Sequence, residues 1–318
     1  MLRSVAVGAV LVALVACSGG ADHELESGTA TAERRTTTSM STTTTTTEAP
    51  STTAPPAPDR LVRPFLANDA AGVTDQLVAA ERAVRDPDTT AEALPGWAHL
   101  QQLAYRKLGV TPEWDADVFA RVPSDLQDTV RLNLDARREL RRLVTTVQDT
   151  VPAWRIIDPP PPDVLISAYR AAETEFGVPW EYLAAVNLVE SAMGRIRGTS
   201  EAGAEGPMQF LPATWAAYGE GDINNPHDAI RAAAHYLAHN GDADGNLPGA
   251  LYAYNHSDHY VAGVTAIAHV IEADSAAFRG YYHWQVYYLT TVGDVWLPVG
   301  YQATEPTPVS EYLSAHPQ

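Results

Sequence analysis

Glu190 stands in a segment whose other side chains are nearly all apolar. Gly177-Val178-Pro179-Trp180-Glu181-Tyr182 opens a helix, with Gly177 suited to end the preceding helix and Pro179 to a first helical position. From Leu183 to Met193, at about 100° per residue, Leu183, Val186, Val189 and Met193 fall on one broad face. Ala184, Ala185 and Leu188 cover the other, and a helix apolar almost all round is a buried one. Glu190 lies on the arc of Leu183 and Val186, so a carboxyl group is set into a core face. Burial disfavours the charged form, so the group keeps its proton to higher pH. That is the state in which a carboxyl can protonate a glycosidic oxygen. On the helix alone, a structural Glu satisfied by a buried Arg or by backbone amides fits equally well.

Three further segments follow in order. Glu190-Ser191 leads to Gly203-Ala204-Glu205-Gly206-Pro207-Met208-Gln209-Phe210-Leu211-Pro212-Ala213-Thr214-Trp215. Then come Asn224-Asn225-Pro226-His227-Asp228-Ala229-Ile230 and Leu251-Tyr252-Ala253-Tyr254-Asn255-His256-Ser257. A Glu-Ser helix end, a Gly-Met-Gln-type loop and an Ala-Tyr-Asn motif, in that order over residues 163–300, resemble the lytic transglycosylases of lysozyme-like fold. The run through Pro207-Met208-Gln209-Phe210 is more similar to the membrane-bound B-type branch; the large soluble branch usually has Leu where Pro207 stands.

The resemblance implies a specific chemistry. Glu190 would protonate the oxygen joining N-acetylmuramic acid to N-acetylglucosamine in peptidoglycan glycan strands. It would then act as base toward the muramic C6 hydroxyl, closing a 1,6-anhydro ring without water. Ser191 would orient the substrate, Met208, Gln209 and Phe210 would line the groove, and Tyr254 and Asn255 would position Glu190 and the sugar. Ordinary glycosidases use two carboxylates. Glu205 and Asp222 are the available second acids, and either one holding a water in the groove would make the chain a goose-type lysozyme. A reading of another class is a non-catalytic wall-binding scaffold, for which Glu190 would be dispensable.

The elements that must carry this site are mainly α-helical: a lysozyme-like transglycosylase domain over 163–302, preceded by a helical accessory region over 60–157. Helices are expected over Asp75 to Arg85 and Ala98 to Leu108. A longer one starts after Ser124-Asp125-Leu126-Gln127, a capping-box pattern, with the stripe Leu126, Val130, Leu134, Leu140, Leu143 and Val147. Arg131, Arg137, Arg138 and Arg142 read as its solvated face. This region shows no chemistry of its own and suggests a protein partner whose nature the residues do not specify. Asp158-Pro159-Pro160-Pro161-Pro162-Asp163 reads as a stiff linker at 158–162, and 303–318 as a loose tail.

The N-terminus reads as targeting sequence. Met1-Leu2-Arg3 gives a positive start, and the apolar run Val5 to Ala16, about a dozen residues, is shorter than the roughly 20 needed to span a bilayer. It ends Leu14-Val15-Ala16-Cys17, and Cys17 is the single cysteine of the chain. The pattern resembles the lipobox of bacterial lipoproteins. It implies a signal peptide over 1–17, a lipid anchor to the membrane on Cys17 and an extracytoplasmic location. Residues 18–59, with Thr42 to Thr47 and Ala54-Pro55-Pro56-Ala57-Pro58, read as a tether. About 40 such residues would span roughly 35 Å as coil and up to about 120 Å in polyproline form.

Charge and composition exclude some classes. Asp and Glu number 39 against 21 Lys and Arg, a formal charge of −18, which argues against nucleic-acid binding. The ten His form no HExxH or other metal spacing. Asn240-Gly241-Asp242-Ala243-Asp244-Gly245 is similar to the first half of an EF-hand loop, but its twelfth position is Leu251 and the bidentate Glu is missing. No metal or cofactor is expected.

Overall fold

The computed structural model describes residues 62–200 and 202–318. The expected leader, the lipobox at Cys17 and the tether lie outside them. No helix among the described residues is long and apolar enough to cross a membrane.

Four helices come first: α1 (Ala70–Arg85), α2 (Leu94–Gly109), α3 (Asp115–Arg121) and α4 (Gln127–Arg142). Two short strands follow, β1 (Thr150–Val151) and β2 (Arg155–Ile156), then α5 (Pro162–Phe176), α6 (Trp180–Ser191) and β3 (Ile196–Arg197). After these come α7 (Pro212–Tyr218), α8 (Pro226–His239), α9 (Leu247–Tyr254), α10 (Asp258–Ala273) and α11 (Ala277–His283). The chain closes with a hairpin of β4 (Val286–Thr290) and β5 (Gly293–Leu297), then β6 (Thr307–Pro308) and α12 (Val309–Ala315). Local chemistry sets many of these ends. Asp69 caps α1 by accepting from the Gly72 N–H, Asn225 caps α8 with Pro226 behind it, and Asn246 and Ser257 cap α9 and α10. Gly177 ends α5 at φ +81°, a left-handed conformation that an L side chain resists.

The main core is built on α6, whose residues from Leu183 to Ser191 are all buried, with α5, α8, α9 and α10 around it. α4 belongs to this core as much as to the N-terminal bundle. Ala136 lies within it, and Leu132, Leu140 and Leu143 pack against it. α4 and α10 meet closely at Gly263, where a Cβ would fall 2.6 Å from Leu140 Cγ. α1 to α3 gather a separate cluster around Leu77, Tyr105, Leu108 and Val118, which Trp284 joins from the other end of the chain.

Several expectations are corrected. The arginines of α4 are not a uniformly solvated face. Arg137 is nearly enclosed and ion-pairs with Asp294 at 3.1 Å, and Arg138 grips Asp115 with two hydrogen bonds at 2.7 and 2.8 Å. Periodicity marked them as off the apolar stripe but cannot show that β5 supplies a carboxylate there. Ser124 does not cap α4. Leu126 holds the cap position without a side-chain bond, and Gln127 Nε2 donates to the Phe119 and Val122 carbonyls instead. Pro179 caps α6 rather than opening it, so the helix starts at Trp180.

The tail is not loose. β6 pairs antiparallel with β1, and α12 buries Val309 and Tyr312 in a cluster with Trp154, Ile156, Val286 and Leu297. The Tyr312 hydroxyl donates to the Trp296 carbonyl at 2.9 Å. The helical reading of 163–300 also passed over the β4–β5 hairpin, whose first strand is buried along its whole length. The proline run is tied down: Tyr282 donates to the Pro160 carbonyl at 3.1 Å, and just before the run the Ile157 N–H donates to the Arg195 carbonyl. Asn240–Gly245 contains the single turn Asp242–Asp244 and leads directly into the Asn246 cap.

Candidate active site

The Glu190 side chain is fully buried near the end of α6. Its Oε1 accepts a hydrogen bond from the Tyr260 hydroxyl at 2.7 Å, and its Oε2 is buried with no hydrogen-bond partner among the described residues. Burial pushes the carboxyl well above its ordinary value, and the Tyr260 hydrogen bond acts in the opposite, smaller sense. Desolvation thus favours the protonated form, the form in which a carboxyl can act as an acid. Tyr260 sits in the first turn of α10, behind the Ser257 cap. Burial, and then the proximity of Glu190, raise its phenol well above the usual range, so it acts as a neutral donor.

Burial, and then the charge of Glu190 close by, raise the phenol of Tyr254, which packs on Tyr260. The two rings stack at 6.3 Å with an interplanar angle of 4°, and the Tyr254 hydroxyl donates to the Met208 carbonyl at 2.6 Å. Tyr254, expected to help position Glu190, fixes the glycine loop, and Tyr260 makes the hydrogen bond to the carboxyl. Sequence reasoning missed Tyr260. With Val264, Ile267, Ala268 and Ile271 it lies on the buried face of α10, and a tyrosine on such a face reads as core.

Ser191 is likewise a fastener. It is fully buried, donates to the Pro207 carbonyl at 2.5 Å and accepts from the Gly194 N–H at 2.9 Å. Asn187, one turn earlier, donates to the same carbonyl at 2.8 Å and is itself held by the Tyr169 hydroxyl at 2.6 Å. The Ser191 hydroxyl, expected to orient the substrate, anchors the loop beside Glu190.

That loop is tightly formed. Glu205 and Phe210 exchange two backbone hydrogen bonds of 2.9 Å, and Gln209 folds its side-chain amide back onto the Gly206 carbonyl at 2.8 Å. Gly206 has φ +74°, and a Cβ there would lie 2.1 Å from the Ile223 carbonyl oxygen. Met208, Gln209 and Phe210 are buried, with Phe210 against Trp215 and Tyr254. These three side chains, expected to line the groove, are packed inside the fold. Asn255, half-buried at the end of α9, is the one expected substrate contact with solvent access.

The positive-φ residues other than glycine, among those described, are Ala192, Met193 and Gln209. All three flank Glu190 or sit in its loop, and such conformations are held at roughly 1–2 kcal/mol each. Strain is thus concentrated where α6 ends and the loop turns. Neither candidate second acid reaches Glu190. Asp222 is exposed and its Oδ1 accepts from the Asn224 N–H, closing its own turn; Glu205 is half-buried and makes no contact with Glu190.

A protein-family model, the Transglycosylase SLT domain, matches residues 167–268. The match covers about a third of the chain, from α5 into α10, and includes Glu190, the glycine loop, Tyr254 and Tyr260. No curated protein and no solved structure matches the chain. Residues 167–268 are thus similar to the transglycosylase SLT domain.

Proposed function

We propose that the chain cleaves peptidoglycan between N-acetylmuramic acid and N-acetylglucosamine, with Glu190 first as acid and then as base, leaving a 1,6-anhydro-muramic end. The SLT domain supports lytic transglycosylase activity at the family level, with peptidoglycan as substrate. The observation that carries the finer reading is the buried Glu190 carboxyl, with Tyr260 as its one hydrogen-bond donor and no second carboxylate against it among the described residues. A protonated acid can give its proton to the leaving oxygen. The carboxylate so formed is stabilised by Tyr260 and is then basic enough to take the C6 hydroxyl proton. A hydrolase would need a further carboxylate to activate water. Asp222 closes its own turn on Asn224, and neither it nor Glu205 is among the groups acting on Glu190. Asn255, half-buried at the end of α9, would meet the sugar.

The test is digestion of purified peptidoglycan with the chain and with Glu190→Gln, followed by mass analysis of the released ends. Anhydro ends with the first protein and none with the second are expected. Cleavage surviving in Glu190→Gln would overturn the assignment. Binding to wall material with no cleavage by either would return the scaffold reading.

We also propose that Cys17 carries a lipid anchor that holds the enzyme at the outer face of the membrane, with residues 18–59 as the tether to the wall. The single cysteine at the end of the apolar run supports this. Labelled palmitate should enter the chain and not Cys17→Ser, which should be found outside the membrane fraction. Equal membrane association of both would refute the anchor.

A further inference from the structure

A cleft of about 100 Å³ opens between the N-terminal helices and the SLT segment, away from Glu190. Its apolar side is formed by Leu188 and Val189 of α6, Ile267 of α10 and Leu140 of α4. At about 100° per residue, the direction midway between Leu188 and Val189 lies roughly 150° around α6 from Glu190. The cleft therefore faces the reverse side of the helix that carries the acid, and none of Glu190, Gln209, Tyr254 or Asn255 lines it.

Arg106 and Arg137 also line the cleft. With Arg141 they make three guanidinium groups around a single carboxylate, Asp294, at 2.8, 3.1 and 3.8 Å. Arg137 Nε is buried with no hydrogen-bond partner among the described residues. The stem of Arg137 passes close over Gly109, where a Cβ would lie 2.7 Å from its Cγ. Burial, together with the like charge of Arg106, brings Arg137 down to about 9 despite Asp294. Arginine does not give up its proton in proteins, so three guanidinium groups around one carboxylate favour a further anion. An apolar wall facing an under-compensated pair of guanidinium groups suits a ligand with both characters.

We propose that this cleft binds a small organic carboxylate, its carboxylate against Arg106 and Arg137 and its apolar body against Leu188, Val189 and Ile267. Such a ligand touches the catalytic helix from behind and spans the contact between the N-terminal helices and the SLT segment. This is a binding site separate from the glycan site, and it stands whether Glu190 makes anhydro or reducing ends.

The experiment is calorimetric titration of the full chain with hexanoate, beside 1-hexanol and acetate, with thermal unfolding of the same samples. Hexanoate should bind saturably with a Kd of about 1 mM or tighter and raise the unfolding temperature. Hexanol lacks the charge and acetate the apolar body, so each should bind at least about tenfold more weakly. Arg137→Gln should lose about tenfold in hexanoate affinity; if it does not fold, Arg106→Gln takes its place. The contrast of hexanoate with hexanol on the unsubstituted chain needs no variant at all. No saturable hexanoate binding, equal binding of hexanol, or an affinity unchanged by the arginine substitutions would each overturn the proposal.

Discussion

At Glu190 the opposing influences are burial, which raises the carboxyl, and the Tyr260 hydroxyl, which steadies its charged form. Tyr260→Phe removes the second and leaves the first. The alkaline limb of the kcat/KM profile should therefore move to higher pH while kcat falls about tenfold, the loss expected for one hydrogen bond to a charged group. A tyrosine that merely filled space would leave the limb where it was. The same burial has a signature in stability. Between the ordinary carboxyl value of 4.5 and its raised value in the fold, Glu190 holds a proton that the unfolded chain has lost. Its contribution is thus fully present below 4.5 and is lost as pH rises toward the folded value. Glu190→Gln does not titrate, so its unfolding temperature should gain on the parent steadily as pH is raised from 4.5. A constant gap across pH would show that the carboxyl is not shifted. The burial of Glu190 was legible from the apolar pattern of α6. Its partner was not, because Tyr260 is seventy positions away and only the approach of α10 to α6 joins them.

Between elements, the site depends on how the end of α6 is fastened to the glycine loop. Asn187 and Ser191 share the Pro207 carbonyl, and Tyr254 holds that of Met208. These bonds explain why a serine follows the acid and why a tyrosine occupies the Ala-Tyr-Asn motif: both reach backbone of the same loop. The motif residues could be picked out of the sequence, but their expected contacts with sugar could not distinguish a side chain aimed at the groove from one aimed beneath it. Gly206 is the tightest point of the loop. Gly206→Ala combines a positive φ with a Cβ at 2.1 Å from the Ile223 oxygen, so the loop must shift. Unfolding free energy should fall by about 2 kcal/mol or more, and cleavage should fall with it. Unchanged stability would mean that the loop has slack the structure does not show.

For the whole molecule, the N-terminal helices and the SLT segment share one interior. α4 contributes to the main core, Arg106, Arg137 and Arg141 converge on Asp294 from the β4–β5 hairpin, and Gln102 bonds the backbone of Gln285 in both directions. Asp294→Asn would leave the arginines without a carboxylate at a site only 19% exposed, and should destabilise the chain by about 3 kcal/mol in denaturant unfolding. Residues 158–318 alone, stripped of α4, should show no cooperative unfolding transition. A sharp transition in that piece would mean that the N-terminal helices are an independent unit. The mainly helical class was legible from 3.6-residue periodicity. The shared interior, the hairpin and the seat of α12 were not, since each rests on pairings between residues far apart in the chain, such as Thr150 with Pro308.

The most direct measurement is digestion of peptidoglycan in water enriched in oxygen-18, with the muramic ends read by mass. Ends that lack both the label and the added water are expected, because the C6 hydroxyl rather than solvent attacks, and no ends at all with Glu190→Gln. Ends one water heavier and carrying oxygen-18 would contradict it and make the enzyme a hydrolase.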